Sequence, residues 1–282
     1  MIDRLPGEAS QPLARAAIYA CLVGTAMYFL APLLVMALTS VKSMDEIRDG
    51  NLLSLPLEPT LAAWAKAWAK MRGFFWNSLL LVVPAVAIST AIGSFNGYVL
   101  TKWRFRGSET LFGMLLVGCF IPFQAILLPM ARALGQFGLA GTTAGLVAVH
   151  VIYGLAFTTL FFRNFYMGLP DELIKAARID GAGFFTIFWR IVLPLSPPIV
   201  VVCVIWQFTQ IWNDFLFGVA YSSGESQPIT VALNNLVNTS TGVKEYNVDM
   251  AAALLAALPT LIVYVLAGKY FVKGLTAGAV KG

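Results

Sequence analysis

Six stretches of this chain run for 19 to 30 residues without a single Asp, Glu, Lys or Arg. They extend from Ala16 to Val41, Gly73 to Thr101, Thr110 to Ala131, Ala133 to Phe162, Ile191 to Asn213 and Met250 to Gly268. About 20 apolar helical residues cross a bilayer core of roughly 30 Å, so each run can span one. A membrane β-barrel would show segments of about ten residues with alternating polarity, and these runs do not alternate. A soluble protein burying six such helices would keep almost no wettable surface, since 59% of the residues are hydrophobic and only 12% charged. The sequence therefore predicts an all-α membrane protein with six transmembrane helices.

Orientation follows from Lys and Arg, because short loops rich in them stay cytoplasmic. With a cytoplasmic start, the inner segments 1–15, 102–109, 163–190 and 269–282 carry 12 of the 19, and outer segments of similar total length carry 7. Both termini are thus expected in the cytoplasm, with 1–15 a cytoplasmic segment, 16–268 the transmembrane domain and 269–282 a cytoplasmic tail. The net charge of +5 fits basic side chains beside anionic headgroups and calls for no nucleic acid. The first apolar run is too long for a signal-peptide core and no A-x-A-like site follows it, so it is expected to remain as an anchor. Cys21, Cys119 and Cys203 fall inside expected spans and read as packing residues.

Between the spans, the outer segment Lys42 to Arg72 is expected to include a short helix on the membrane surface, with Trp64, Trp68 and Trp76 at the interface. Pro122, Pro129, Pro197, Pro198 and Pro259 are expected to kink or interrupt helices. The outer segment 215–249 is long for a connection, which points to function. Within it Ser226 to Val243, rich in Asn, Ser and Thr, reads as loop.

Catalytic signatures are missing. No G-x-x-x-x-G-K-[ST], H-E-x-x-H, C-x-x-C or G-x-S-x-G occurs, so no phosphate loop, metal site or catalytic set is predicted and the chain is not expected to be an enzyme. The one histidine, His150, is expected to make an interhelical hydrogen bond. Polar residues in or beside spans tend to face a bundle interior or an aqueous path: here Asn77, Asn96, Gln124, Gln207, Gln210, Asn213 and Asp214. In WQFTQIWNDF, Gln207, Gln210 and Asp214 sit at i, i+3 and i+7 and would share one helix face, with Trp206 and Asn213 beside it. Amides with aromatic faces suit an uncharged polyhydroxylated ligand. They equally suit polar contacts that only join helices.

The most polar stretch of the inner side is DELIKAARIDGAGFFTIFWRIVLPLSPP, Asp171 to Pro198. Pro170 fits a first helical position and Asp171 and Glu172 complement the positive helix end, so Pro170 to Ile179 reads as a short helix. Asp180-Gly181 reads as a turn with Gly181 free to take positive φ. GFFTIFWRIVLPL then leads back into the membrane at Pro194. A short helix beneath the bilayer with a glycine-fixed turn can be a docking surface or an ordinary connection.

The spacing Ala176-Ala177, Gly181, Ile191, Leu193-Pro194, with Asp180-Gly181-Ala182 at its centre, resembles the EAA loop (here 163–190) of bacterial ABC importer permeases. Lys175 departs from it, standing where the motif has glutamate; Glu172 lies three residues upstream. Asn77-Ser78, RFRG at 104–107, IPFQAILLP at 121–129, WNDF at 212–215 and GLTAGAVKG at 274–282 are similar to the carbohydrate-uptake, MalG-like subunits, most of all glucose or mannose permeases. The resemblance implies a type I importer permease fold in the bacterial inner membrane. It implies four kinds of neighbour: a second permease subunit, two ATPase subunits holding ATP and Mg, an outer sugar-binding protein, and lipid. Glu172, Lys175, Ala176, Ala177, Asp180, Gly181, Ile191, Leu193 and Pro194 would couple to an ATPase, and Asn77, Gln124, Gln207, Gln210, Asn213 and Asp214 are pathway candidates. A permease for an oligosaccharide or glycerol phosphate, or an ion-coupled secondary transporter, are the alternatives; the latter wants charged residues inside the spans.

Overall fold

The computed structural model describes residues 11–50, 53–103, 105–238 and 244–279, with side chains described within residues 14–267 of these. In chain order the helices are α1 (Gln11–Ser40), α2 (Met44–Asp49), α3 (Ala62–Lys102), α4 (Ser108–Phe120), α5 (Phe123–Gln136) and α6 (Thr143–Met167). They continue with α7 (Asp171–Ile179), α8 (Phe184–Ile187), a π-helical turn Phe188–Val192, α9 (Pro197–Trp212), α10 (Leu216–Tyr221), α11 (Ile229–Asn238) and α12 (Tyr246–Ala279). The all-α expectation holds. Of the tail 269–282, only the helical backbone to Ala279 falls within the description, and Arg104 of RFRG lies outside it.

Four segments, Ala14–Ser40, Ala62–Lys102, Thr143–Met167 and Tyr246–Ala267, are each long and apolar enough to cross a bilayer. Counting each of two bent pairs as one broken span brings the number to six: α4 with α5 at 102°, and Phe184–Val192 with α9 at 85°. The third apolar run is therefore not one straight span. Pro122 has no N–H to continue α4, and Ile121 before it is extended at φ −70°, ψ 118°, as a residue before proline prefers. At the second bend Pro194 follows the π turn, and Pro197 opens α9 in its first turn.

Other boundaries shift for equally local reasons. A short helix, α2, does occur within the segment Lys42 to Arg72, while α3 is continuous from Ala62, because AAWAKAWAK is built of good helix formers and Gly73 is simply carried along. The fourth run contains the end of α5 and a turn at 137–142, where Gly138 and Gly141 have positive φ. The outer segment is not open loop: α10 and α11 occupy much of it. Arg163 and Asp249, outside the charge-free runs, fall inside helix bounds, each near a helix end.

Packing divides the chain into two compact units. In the described residues of Met1–Lys70 and Ser240–Leu255, the Trp64 indole donates to Ser40 Oγ at 3.1 Å, so this tryptophan ties α3 to α1. Lys42 is buried, donating to Ser54 Oγ, while Asn247 donates to its carbonyl. Glu245 pairs with Lys66 at 2.7 Å, and the hydrogen bond from that lysine draws its carboxyl below the usual range. The flanks of α1 from residue 14 to residue 32 are exposed throughout.

In the other unit, Met71–Thr239 and Ala256–Gly282, α3 lies against α6 along Gly93 and Gly97, four residues apart. A Cβ on Gly93 would collide with Thr158, and one on Gly97 would stand 2.8 Å from the Arg163 backbone nitrogen. Small residues at this spacing let membrane helices approach closely, where dispersion contacts replace the absent hydrophobic drive. Gly97→Leu is expected to destabilise the subunit by about 1–3 kcal/mol through overpacking. Its detergent-solubilised form should unfold at a visibly lower temperature, and an unchanged midpoint would count against this contact.

Candidate functional site

The spacing of α7 decides which way it faces. Ile174 and Ala177, three residues apart, are buried in a cluster with Tyr98, Phe162, Tyr166, Phe188 and Val192. Polar atoms in that cluster are paired: Tyr98 Oη donates to Phe184 O at 3.0 Å, and Tyr166 Oη meets Ser94 Oγ and Ser196 Oγ, each at 2.8 Å. Satisfied polar groups in a dry core fix a single arrangement. The C-terminal ends of α3 and α6 and the N-terminal part of α9 thus share one knot with α7 and α8.

Both ends of α7 are locked. At its start Lys102 donates to Leu169 O at 2.7 Å and pairs with Asp171 at 2.6 Å. Arg178 donates to Lys102 O at 3.2 Å and lies 4.4 Å over the Trp103 ring. At its finish Gly181, φ +81°, donates to Arg178 O while Ala182 donates to Ala177 O at 2.8 Å. That pair of bonds is a Schellman stop, which needs the left-handed residue glycine supplies. The expected helix and turn are present within one residue, Pro170 being the N-cap.

The outer face is bare. Glu172, Ala176 and Ile179, at i, i+4 and i+7, are exposed together with Lys175, Asp180 and Gly181. Ile179 is 86% exposed, and Phe185 and Trp189 continue the apolar surface at 64% and 61%. On α7, outside the spans, the exposed Leu173 and Ile179 mark a contact surface. Of the other EAA-loop positions, Ile191 and Leu193 pack on the buried cluster and Pro194 is exposed at the bend. Lys102 and Trp103 also belong to this site, although in KWRFRG the cations read only as a topological anchor, and so does Arg178 of α7, which the EAA spacing does not single out.

The pathway candidates do not converge. Gln207 is 2% exposed and donates to Ser89 Oγ at 2.7 Å, with Gly154 making room for its amide. Its role here is joining α9 to α3 and α6. Asn77 donates to Glu225 O and Gln227 O, and Asn213 to Thr209 O. Asn96 donates to Thr159 Oγ1. The shared face of Gln207, Gln210 and Asp214 ends early, since α9 stops at Trp212. Asp214 instead accepts from the N–H groups of Phe217 and Gly218 at the start of α10, and Thr230 of α11 donates to its carbonyl. Burial raises its carboxyl above the usual range against the pull of those N–H groups. Gln124 and Gln210 are exposed. His150 lacks the expected hydrogen bond: its Nε2 is 3.7 Å from Asp214 Oδ2, too far, and the ring packs edge-on against Phe217.

Comparison with known proteins adds independent findings. Residues 15–276 match the family described as binding-protein-dependent transport system inner membrane component. A probable ABC transporter permease protein of Pyrococcus horikoshii is 38% identical, the alignment covering 95% of this chain and 98% of that one. The xylose/arabinose import permease protein XacI of Haloferax volcanii is 35% identical, over 95% and 94%. Among solved structures, a bacterial ABC transporter involved in the import of the acidic polysaccharide alginate superposes with a TM-score of 0.83. That match covers 95% of this chain and 100% of that one at 21% identity, a likeness of fold.

Proposed function

Since this chain belongs to the binding-protein-dependent transport inner membrane components, we propose that it is the permease subunit of an ATP-driven importer of small neutral sugars, gripped by its ATPase at the outer face of α7. The observation that carries this is the contrast within α7: Ile174 and Ala177 bolt it to the bundle while Glu172, Ala176 and Ile179 stand free. A helix so held passes a displacement to the inner ends of α3, α6 and α9. ATP and Mg belong to the separate ATPase pair, whose closure biases the spans between inward-open and outward-open states. Among the EAA-loop residues, Asp180, Gly181 and Pro194 belong to the grip and its turn.

The remaining partners follow in the same reading. A second permease subunit and lipid together cover the exposed flanks of α1. An outer sugar-binding protein docks on 215–249, where α11 presents Asn234, Asn235 and Asn238 outward. Both termini are cytoplasmic in this arrangement, in keeping with the Lys and Arg distribution. Monosaccharide-sized cargo, glucose or mannose among the candidates, is supported by the xylose/arabinose relative; the arabinooligosaccharide permease AraQ of Bacillus subtilis, 29% identical, favours longer chains. An ion-coupled transporter gains little from Arg163, whose Nη2 donates to both carboxylate oxygens of Glu109.

Proteoliposomes holding the chain, its second permease, ATPase and binding protein test the proposal. ATP-dependent accumulation of a labelled monosaccharide is expected, unaffected by ionophores. Uptake that needs no ATP and collapses with an ionophore would refute it.

A further inference from the structure

One flank of α7 is left unused by that reading. Asp171, Ile174, Lys175 and Arg178 recur at i, i+3, i+4 and i+7 and so form a stripe beside the bare outer one. With Lys102, Trp103 and Met167 they line a groove of about 560 Å³. Three cations face one carboxylate there, and that carboxylate is already paired with Lys102. Among the described residues the Lys175 ammonium has no hydrogen-bond or ion-pair partner. Arg178 gives one N–H to Lys102 O and leaves the rest of its fork open.

Position identifies the ligand class. Lys102 and Met167 are the last residues of α3 and α6, so the groove opens where two spanning helices leave the bilayer. Trp103, 39% exposed beside it, has the amphipathic ring that settles at headgroup depth. Ile174 and Met167 supply an apolar edge between the cations and the spans. A free cation and an open guanidinium fork at that depth match a phosphate held at the end of an acyl chain. We infer that this groove binds the phosphodiester headgroup of an anionic phospholipid, with Lys175 and Arg178 on its oxygens. Lys175, the departure from the EAA spacing, then serves lipid rather than the motor.

Native mass spectrometry of the full chain in detergent, with phosphatidylglycerol or phosphatidylcholine added, tests this. The wild type should retain phosphatidylglycerol preferentially, and excess inorganic phosphate should not displace it. Lys175→Gln should weaken retention about fivefold, from roughly 1 kcal/mol per cation near anionic lipid, and Lys175→Glu more, whereas Lys175→Arg and Arg106→Gln should keep it. Because Lys175 and Arg106 are exposed, these variants fold independently of the outcome. Equal retention of both lipids, equal retention by wild type and Lys175→Glu, or displacement by phosphate would each overturn the inference. Expulsion of the lipid on adding the ATPase would assign the groove to an acidic protein surface and overturn it too.

Discussion

Gly181→Pro is expected to lower ATP-dependent sugar uptake at least about fivefold, the low end of a coupling free energy of 1–3 kcal/mol, while the subunit stays in the membrane and its ATPase keeps hydrolysing ATP. Proline fixes φ near −65°, whereas residue 181 has φ +81°. It also removes the N–H that bonds Arg178 O. The Schellman stop cannot form, so the end of α7 and the Ala182 strand of the turn lose their fixed relation. The lever then moves without carrying α8 and the base of α9 with it. Gly181→Ala should be milder, because a Cβ there meets nothing within 4 Å and only the left-handed penalty of about 1–2 kcal/mol applies. Uptake and ATPase rates measured on one preparation check the pair; wild-type uptake by Gly181→Pro would remove the lever.

Ile179→Arg is expected to abolish co-purification of the ATPase subunit without harming the permease. The side chain is 86% exposed, so a charge there costs the isolated fold little. In a complex it would enter an apolar contact, where losing a central anchor costs about 2 kcal/mol or more. That amounts to roughly thirtyfold weaker association. Ile174→Arg on the opposite side would instead bury a charge in the Tyr98–Phe162–Tyr166 cluster and unfold the joint. Affinity of purified ATPase for the two forms in nanodiscs checks the first outcome.

The local grammar of α7 was legible because it is carried by neighbours in sequence: Pro170, the acidic first turn and Gly181 act within a few residues of where they stand. The spans were legible as apolar length, but their bends were not. A charge-free window does not register that Pro122 breaks a run into α4 and α5 at 102°. The outer segment misled for a related reason, since Asn and Ser weaken helix propensity alone while Ser78, 151 residues upstream, supplies the acceptor for the Ile229 N–H at the start of α11. Gln207 illustrates the limit most clearly. An amide in a span reads the same whether it meets a ligand or Ser89, and the partner lies 118 residues away. Lys102 and Arg178 likewise converge on the groove only after folding.

A photo-cross-linker installed at position 179 tests the central claim most directly, with a second at Val219, 52% exposed on α10, as the opposite-side control. In membranes containing the assembled transporter, position 179 should capture the ATPase subunit and position 219 should not. Capture of the ATPase from position 219, or its absence from position 179 in an active preparation, would contradict the account.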